Sequence, residues 1–216
     1  AKVIEYADKI DISSQHLLGI INDVLDMSKI EAGKTVFKYS DFSILDLVQE
    51  LDTIFHTQIY EKQQTLTIIK ENIQHEWVNG DQVHLMQIFS NLLSNAVKYT
   101  QEGGEIQFFV EECETKSSVY AKYRFLVGDN GMGMSADFKS KIFDPFSHAE
   151  GSVTNKIQGT NLRMAITRNL VGTIDMESEL GQKSCFEVLI DLRIAEDRFV
   201  SSAVREEKNE KVDSIL

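Results

Sequence analysis

Cysteine is scarce in this chain. Cys113 and Cys185 are the only two in 216 residues, and they stand apart without metal-ligand spacing. That argues against a disulfide framework or a thiolate metal site, and for two reduced packing residues in a reducing compartment. Long apolar runs are missing too, since no stretch approaches the roughly 20 consecutive apolar residues a membrane helix needs. The opening AKVIEYADKI lacks a basic segment followed by an apolar one, so this piece reads as soluble and not itself exported. Positive charge is short: 22 lysines and arginines against 34 acids leave a formal net charge of -12. The basic residues are scattered, so a groove for a phosphate backbone is not expected and nucleic acid is excluded as a partner. What remains is ordinary for a soluble globular chain, 42% hydrophobic and 26% charged, which predicts one main domain with helical and tail extensions.

Residues 1–32 carry apolar or small residues at alternating steps of four and three: Val3, Ala7, Ile10, Ser14, Leu17, Ile21, Val24 and Ser28. Ile4, Leu18 and Leu25 widen the stripe, and Gly33 offers a stop. A stripe sustained over roughly four heptads predicts a long bundle-forming helix whose partners lie elsewhere. The other reading is a lone helix docked on its own domain. After residue 34 the pattern is mixed, with a short strand at 35–42, an amphipathic helix at 43–60, and a strand at 65–73. A helix follows at 80–100, and strands at 105–112 and 119–129 pair as antiparallel neighbours. A short helix at 135–142, a loop at 144–158, a helix at 160–171 and strands at 173–177 and 184–192 complete a two-layer α/β sandwich, a mixed sheet covered by helices. The charged tail, 195–216, reads as linker or disorder.

Four stretches could carry chemistry. In GDQVHLMQIFSNLLSNAVKYT the apolar residues recur at helical steps, yet Asn91 and Asn95 sit one turn apart on one face, with Lys98 and Tyr99 following. Buried amides cost stability unless something pairs with them. FLVGDNGMGM is a strand ending in Asp129, with Gly131 and Gly133 permitting a tight turn that a flat ligand could approach. IFDPF holds the only proline, Pro145, between two aromatics and could anchor the 144–158 loop. GTNLRMAI opens a helix, where free N–H groups favour an anion. Each alone has a plain structural reading as core helix, turn, helix stop or helix start.

In this order the four resemble the asparagine, first glycine, phenylalanine and second glycine boxes of the ATP-binding catalytic domain of sensor histidine kinases. That is the Bergerat-type fold shared with gyrase and the ninety-kilodalton heat-shock chaperones. SSQHLLGIINDVLDMSKIEAGK resembles the second helix of the dimerisation and histidine-phosphotransfer hairpin. The resemblance implies three regions: a partial hairpin helix at 1–33, an ATP-binding domain at 34–194, and a linker at 195–216. It implies Mg-ATP as ligand, with Asn95 and the neighbouring Asn91 on magnesium and phosphate, Lys98 neutralising phosphate, and Tyr99 against the adenine. Asp129 would accept the adenine amino group, supported by Ser184 through water, while Gly131 and Gly133 give backbone access. Gly159, Thr160 and Leu162 of the second glycine box complete the implied ATP site, with 144–158 as the lid and Lys156 a weak candidate phosphate contact. The implied partners are a phosphotransfer helix of the same or a sister chain, a response-regulator receiver domain, and a second copy in a homodimer of the intact protein. The implied compartment is the cytoplasm, as the soluble part of a larger sensor.

Asn91 separates two enzyme classes, and other positions depart from the family pattern. Asn91 replaces the glutamate that activates water in the gyrase and chaperone relatives, and an amide has no useful basicity, so unassisted hydrolysis is disfavoured against transfer to histidine. Asn161 and Arg163 stand where the second glycine box has glycines, and Arg163 would either block the site or pair with phosphate. The helix before Gly172 is short by about one turn, ~4 residues. Lys183 replaces a glycine. None of His16, His56, His75, His84 and His148 is followed by the acidic-x-x-Thr-Pro pattern of the phosphoacceptor, which places the acceptor outside these residues. The rival reading is a degenerate, nucleotide-free domain acting as a dimerising or regulatory module.

Overall fold

Thirty residues without a breaker make the first helix, α1 (Lys2–Glu31), about 45 Å long. It stops at Gly33, whose φ of +64° lets its own N–H reach the Ile30 carbonyl (2.9 Å) and the Lys34 N–H reach Lys29 (2.8 Å). That paired closure is the usual glycine-terminated helix end. The structure is a computed structural model that describes residues 2–145, 162–171 and 173–195. The expected lid 144–158 beyond Pro145, Lys156, Gly159, Thr160, Asn161 and the tail lie outside the described residues, as does the side chain of His16.

Strand β1 (Ser40–Ser43) runs directly into α2 (Ile44–Glu61), capped by Ser43, whose Oγ accepts from the Asp46 N–H at 3.0 Å. Then follow β2 (Thr65–Glu71), β3 (Trp77–Gly80) and α3 (Gln82–Tyr99). Asp81 caps α3 by accepting from the His84 N–H at 3.0 Å, and it also accepts from the Lys38 N–H at 2.5 Å. The chain continues through β4 (Glu105–Cys113), β5 (Tyr120–Asp129), the single turn α4 (Ala136–Lys139), α5 (Leu162–Leu170), β6 (Thr173–Glu179) and β7 (Lys183–Ile194).

The strands form one mixed sheet in the order β1-β3-β7-β5-β4-β2, with β6 on β7. Only β2 and β4 are parallel, and the crossover between them contains α3. Burial alternates along β4 and β5, so Phe108, Val110, Tyr123, Phe125 and Val127 point to one face. Onto that face pack α2 through Leu47 and Leu51, and α3 through Phe89 and Leu93. Phe89 sits at the centre, its ring 4.3 Å from Phe125 and 5.5 Å from Phe108. The opposite face carries charge: Arg124 bonds to Glu187 and lies 3.7 Å from Glu111.

Several expectations need correction. The strand expected at 35–42 is confined to Ser40–Ser43, because residues 34–39 pass by the start of α3 without regular structure. β3 was not expected at all; its four residues are recruited by β1 and the end of β7. The helix at 135–142 is one turn followed by turns. The α1 stripe needs none: it faces outward, as a bundle helix with partners elsewhere requires, and leaves Ile10, Leu17, Ile21, Val24 and Leu25 exposed. A different face, with Gly19, Asp23, Asp26 and Ile30, packs toward α5 and α3.

Candidate nucleotide site

The last turn of α3 and the end of β5 meet at one edge of the sheet. Met132 N–H bonds to the Tyr99 carbonyl at 3.3 Å, which brings the Asp129–Gly133 turn against the helix end. A Cβ on Gly131 would stand 2.5 Å from the Tyr99 carbonyl oxygen, so only glycine permits this approach. Gly133 has φ +60°, and a Cβ there would lie 1.9 Å from the Glu179 carbonyl oxygen. The glycines thus admit the chain's own backbone.

Asp129 ends β5 with one oxygen spent: its Oδ1 accepts the Gly131 N–H at 2.9 Å. Its Oδ2 accepts no hydrogen bond from the described residues. Burial raises its pKa to about 6, against the opposing pull of the Gly131 hydrogen bond. Ser184 is its direct partner on β7, so the two side chains share a face. Ser184 is buried, with its Oγ 3.2 Å from Ser178 Oγ. Ser178 is a member of this wall that sequence reasoning missed. Its hydroxyl takes the Met134 N–H at 2.9 Å and its carbonyl takes Lys139 Nζ at 2.9 Å. The only signal for it was strand alternation next to Ser184.

On α3 the two carboxamides face α5. Asn91 Nδ2 lies 3.3 Å from Thr167 Oγ1 and 3.4 Å from the Arg163 carbonyl, and Asn95 Nδ2 lies 3.0 Å from Met164 Sδ. Their donors are engaged within the protein, which leaves the Oδ1 atoms as the available acceptors. Hard, neutral oxygens of this kind suit a magnesium ion that arrives bound to phosphate. Among the described residues no cluster of three or more His, Cys, Asp or Glu could hold a metal by itself. Lys98 follows one turn on, its Nζ 5.1 Å from the centre of the Tyr99 ring. Burial, and then the charge of Arg163, lowers the pKa of Lys98, while burial raises that of Tyr99. A nearby anion would relieve the first of these. Leu162 is fully buried, so its side chain belongs to the interior and only its backbone could meet a ligand.

Arg163, expected either to block the site or to pair with phosphate, is bonded elsewhere. It reaches back to α1, where its Nε bonds to Asp23 Oδ2 at 2.9 Å. Lys183 is exposed and pairs in register with Glu179, so it does not obstruct the wall. The short helix end is absorbed by Val171, buried and bonded to the Thr167 carbonyl at 3.1 Å.

The family pattern described as histidine kinase-, DNA gyrase B-, and HSP90-like ATPase matches residues 80–194, from the end of β3 through β7. The chain belongs to this family. The chain is 35% identical over 192 residues to the sensor protein GacS of Pseudomonas syringae pv. syringae, covering 87% of this chain and 21% of GacS. The chain therefore spans about a fifth of that relative's length. Among solved structures, full-length ShkA in complex with AMPPNP superposes with a TM-score of 0.75 at 25% identity, covering 90% of this chain and 40% of that one. Histidine kinase ThkA in complex with the response regulator protein TrrA shares the fold, with a TM-score of 0.63 at 21% identity, covering 86% of this chain and 50% of that one. The histidine kinase-like ATPase fold thus accounts for the mixed sheet, for the helices on one face, and for the position of α3 beside Asp129.

Proposed function

We propose that residues 34–194 are the ATP-binding catalytic domain of a two-component sensor histidine kinase. In the intact protein it transfers the γ-phosphoryl group of Mg-ATP to a histidine outside residues 1–216. One observation carries the reading: a half-buried carboxylate with one oxygen open, facing Ser184, beside a helix that aligns two carboxamides and a lysine. Asp129 Oδ2 accepts the purine amino group, with Ser184 positioned to share a water with it. Tyr99 lies against the ring, and Lys98 neutralises phosphate charge. Asn95 and Asn91 present Oδ1 to the cation. Magnesium bound there neutralises the phosphate oxygens and orients the γ-phosphoryl group. Gly159 and Thr160 of the second glycine box are proposed to meet the phosphates through their backbone.

Asn91 cannot act as a base, so the domain holds ATP without activating water and leaves the transfer to an incoming imidazole. The outward apolar stripe of α1, from Ile10 to Leu25, supports a bundle with a phosphotransfer helix and a homodimer of the intact protein. The ThkA–TrrA complex supports a response-regulator receiver domain as the next partner. This work belongs in the cytoplasm, where ATP is held. The rival reading of a degenerate, nucleotide-free module drew on Arg163 and the shortened helix; Arg163 is bonded to Asp23 of α1, and buried Val171 closes the helix end on the Thr167 carbonyl. Titration calorimetry with AMPPNP and magnesium tests the proposal. Saturable binding that disappears in Asp129→Ala is expected, and no heat at millimolar ligand overturns it.

A further inference from the structure

The arginine of the second glycine box is tied to the long helix. Arg163 stands in the first turn of α5, immediately after Leu162, with its side chain 48% exposed, while Asp23 on α1 is only 15% exposed. Their contact at 2.9 Å is not isolated. Arg163 Nη2 passes 3.5 Å from where a Cβ on Gly19 would stand, so the guanidinium lies over this turn of α1 at ordinary contact distance. One turn further along α1, Asp26 Oδ2 accepts from Gln87 of α3 at 3.2 Å. The two acids face the domain on adjacent turns and hold α1 against α5 and α3.

The same arginine is coupled to the phosphate end of the candidate site. Its carbonyl receives Asn91 Nδ2 at 3.4 Å, and its charge helps to lower the pKa of Lys98. The guanidinium is therefore close enough for its field to be felt where phosphate would lie. We propose that Arg163 is a positioning residue that exchanges between Asp23 of α1 and the phosphates of bound nucleotide. Nucleotide binding and release of α1 from the domain are then two sides of one equilibrium. This rests on the nucleotide-binding reading above. A guanidinium pairs with a carboxylate or a phosphate through the same planar fork, so the two anions compete for it. Linkage makes the effect reciprocal: whatever loosens α1 tightens nucleotide binding, and nucleotide loosens α1.

The test is calorimetric titration of Mg-AMPPNP into the wild-type chain, Asp23→Asn, Arg163→Ala and the double variant. Hydrogen exchange of the 19–31 amides is followed with and without nucleotide. Releasing an exposed ion pair should tighten binding in Asp23→Asn by about two- to fivefold. Arg163→Ala should weaken binding, and Asp23→Asn should add nothing in its background; opposite effects of the two single variants are what a purely structural contact would not produce. Exchange in 19–31 should quicken on adding nucleotide to the wild type and stay unchanged in Arg163→Ala. If the wild type binds but all four affinities agree, the exchange is overturned and the nucleotide reading stands. Weaker binding in Asp23→Asn would also overturn it, since Asp23 would then be holding Arg163 toward phosphate. If no variant binds, both readings fall.

Discussion

Acidifying the solution should weaken nucleotide binding through one carboxyl group. Burial raises the Asp129 pKa to about 6, and Gly131 occupies its Oδ1, so a proton must settle on Oδ2, the oxygen offered to the purine amino group. A protonated Oδ2 is a donor facing a donor. Only the ionised form is competent, and apparent affinity scales with its fraction. That fraction is roughly nine-tenths at pH 7 and one-tenth at pH 5, which gives about a tenfold weakening, or ~1.4 kcal/mol. Stability of the free domain should respond in the opposite direction. An acid whose folded pKa lies above its unfolded value of 3.8 favours folding most at low pH, and that contribution fades as pH rises through about 6. Calorimetry with Mg-AMPPNP between pH 7.5 and 5, run beside Asp129→Asn, checks this, because titration of the ligand's own phosphates is common to both. Equal pH slopes in the two proteins would refute the reasoning.

Gly133→Ala should lower stability by more than about 2 kcal/mol, since it combines a left-handed backbone with a Cβ 1.9 Å from the Glu179 carbonyl oxygen; urea unfolding reads it. Glu112→Ala should cost about 2–4 kcal/mol in the same assay. Its carboxylate accepts both the Gln74 and His75 N–H groups, at 2.7 and 2.8 Å, and a part-buried segment would lose both partners. Asn95→Ala should weaken AMPPNP binding in magnesium and leave binding in excess chelator unchanged. A loss of equal size in both conditions would remove Asn95 from the cation.

The strands β4 and β5 and the helix α3 could be read from the sequence because each buries one face, and a buried face imposes its own period on the residues. The wall of the site was legible for a related reason. Asp129, Gly131 and Gly133 form a local turn, and Asn91, Asn95 and Lys98 share one helix face, so the spacing in sequence already fixes their spacing in space. What lay beyond reach depends on distant partners. β3 has only Trp77 and Val78 to mark it, and it exists because β1 and β7 supply its hydrogen bonds. Ser178 joins the wall through the β6–β7 hairpin. The direction of Arg163 is set by Asp23, 140 positions earlier. No local pattern encodes that.

The twelve-residue strand β7 is the last described element, and it touches almost everything the site needs. One end sets Ser184 opposite Asp129, and the other fastens β3 and so the approach to α3. During synthesis, Asp129 must wait with its flank open until residues 183–194 leave the ribosome. The wall proposed for the purine and the completed sheet then arise together, so a chain halted before residue 183 has Asp129 and α3 and still no such wall.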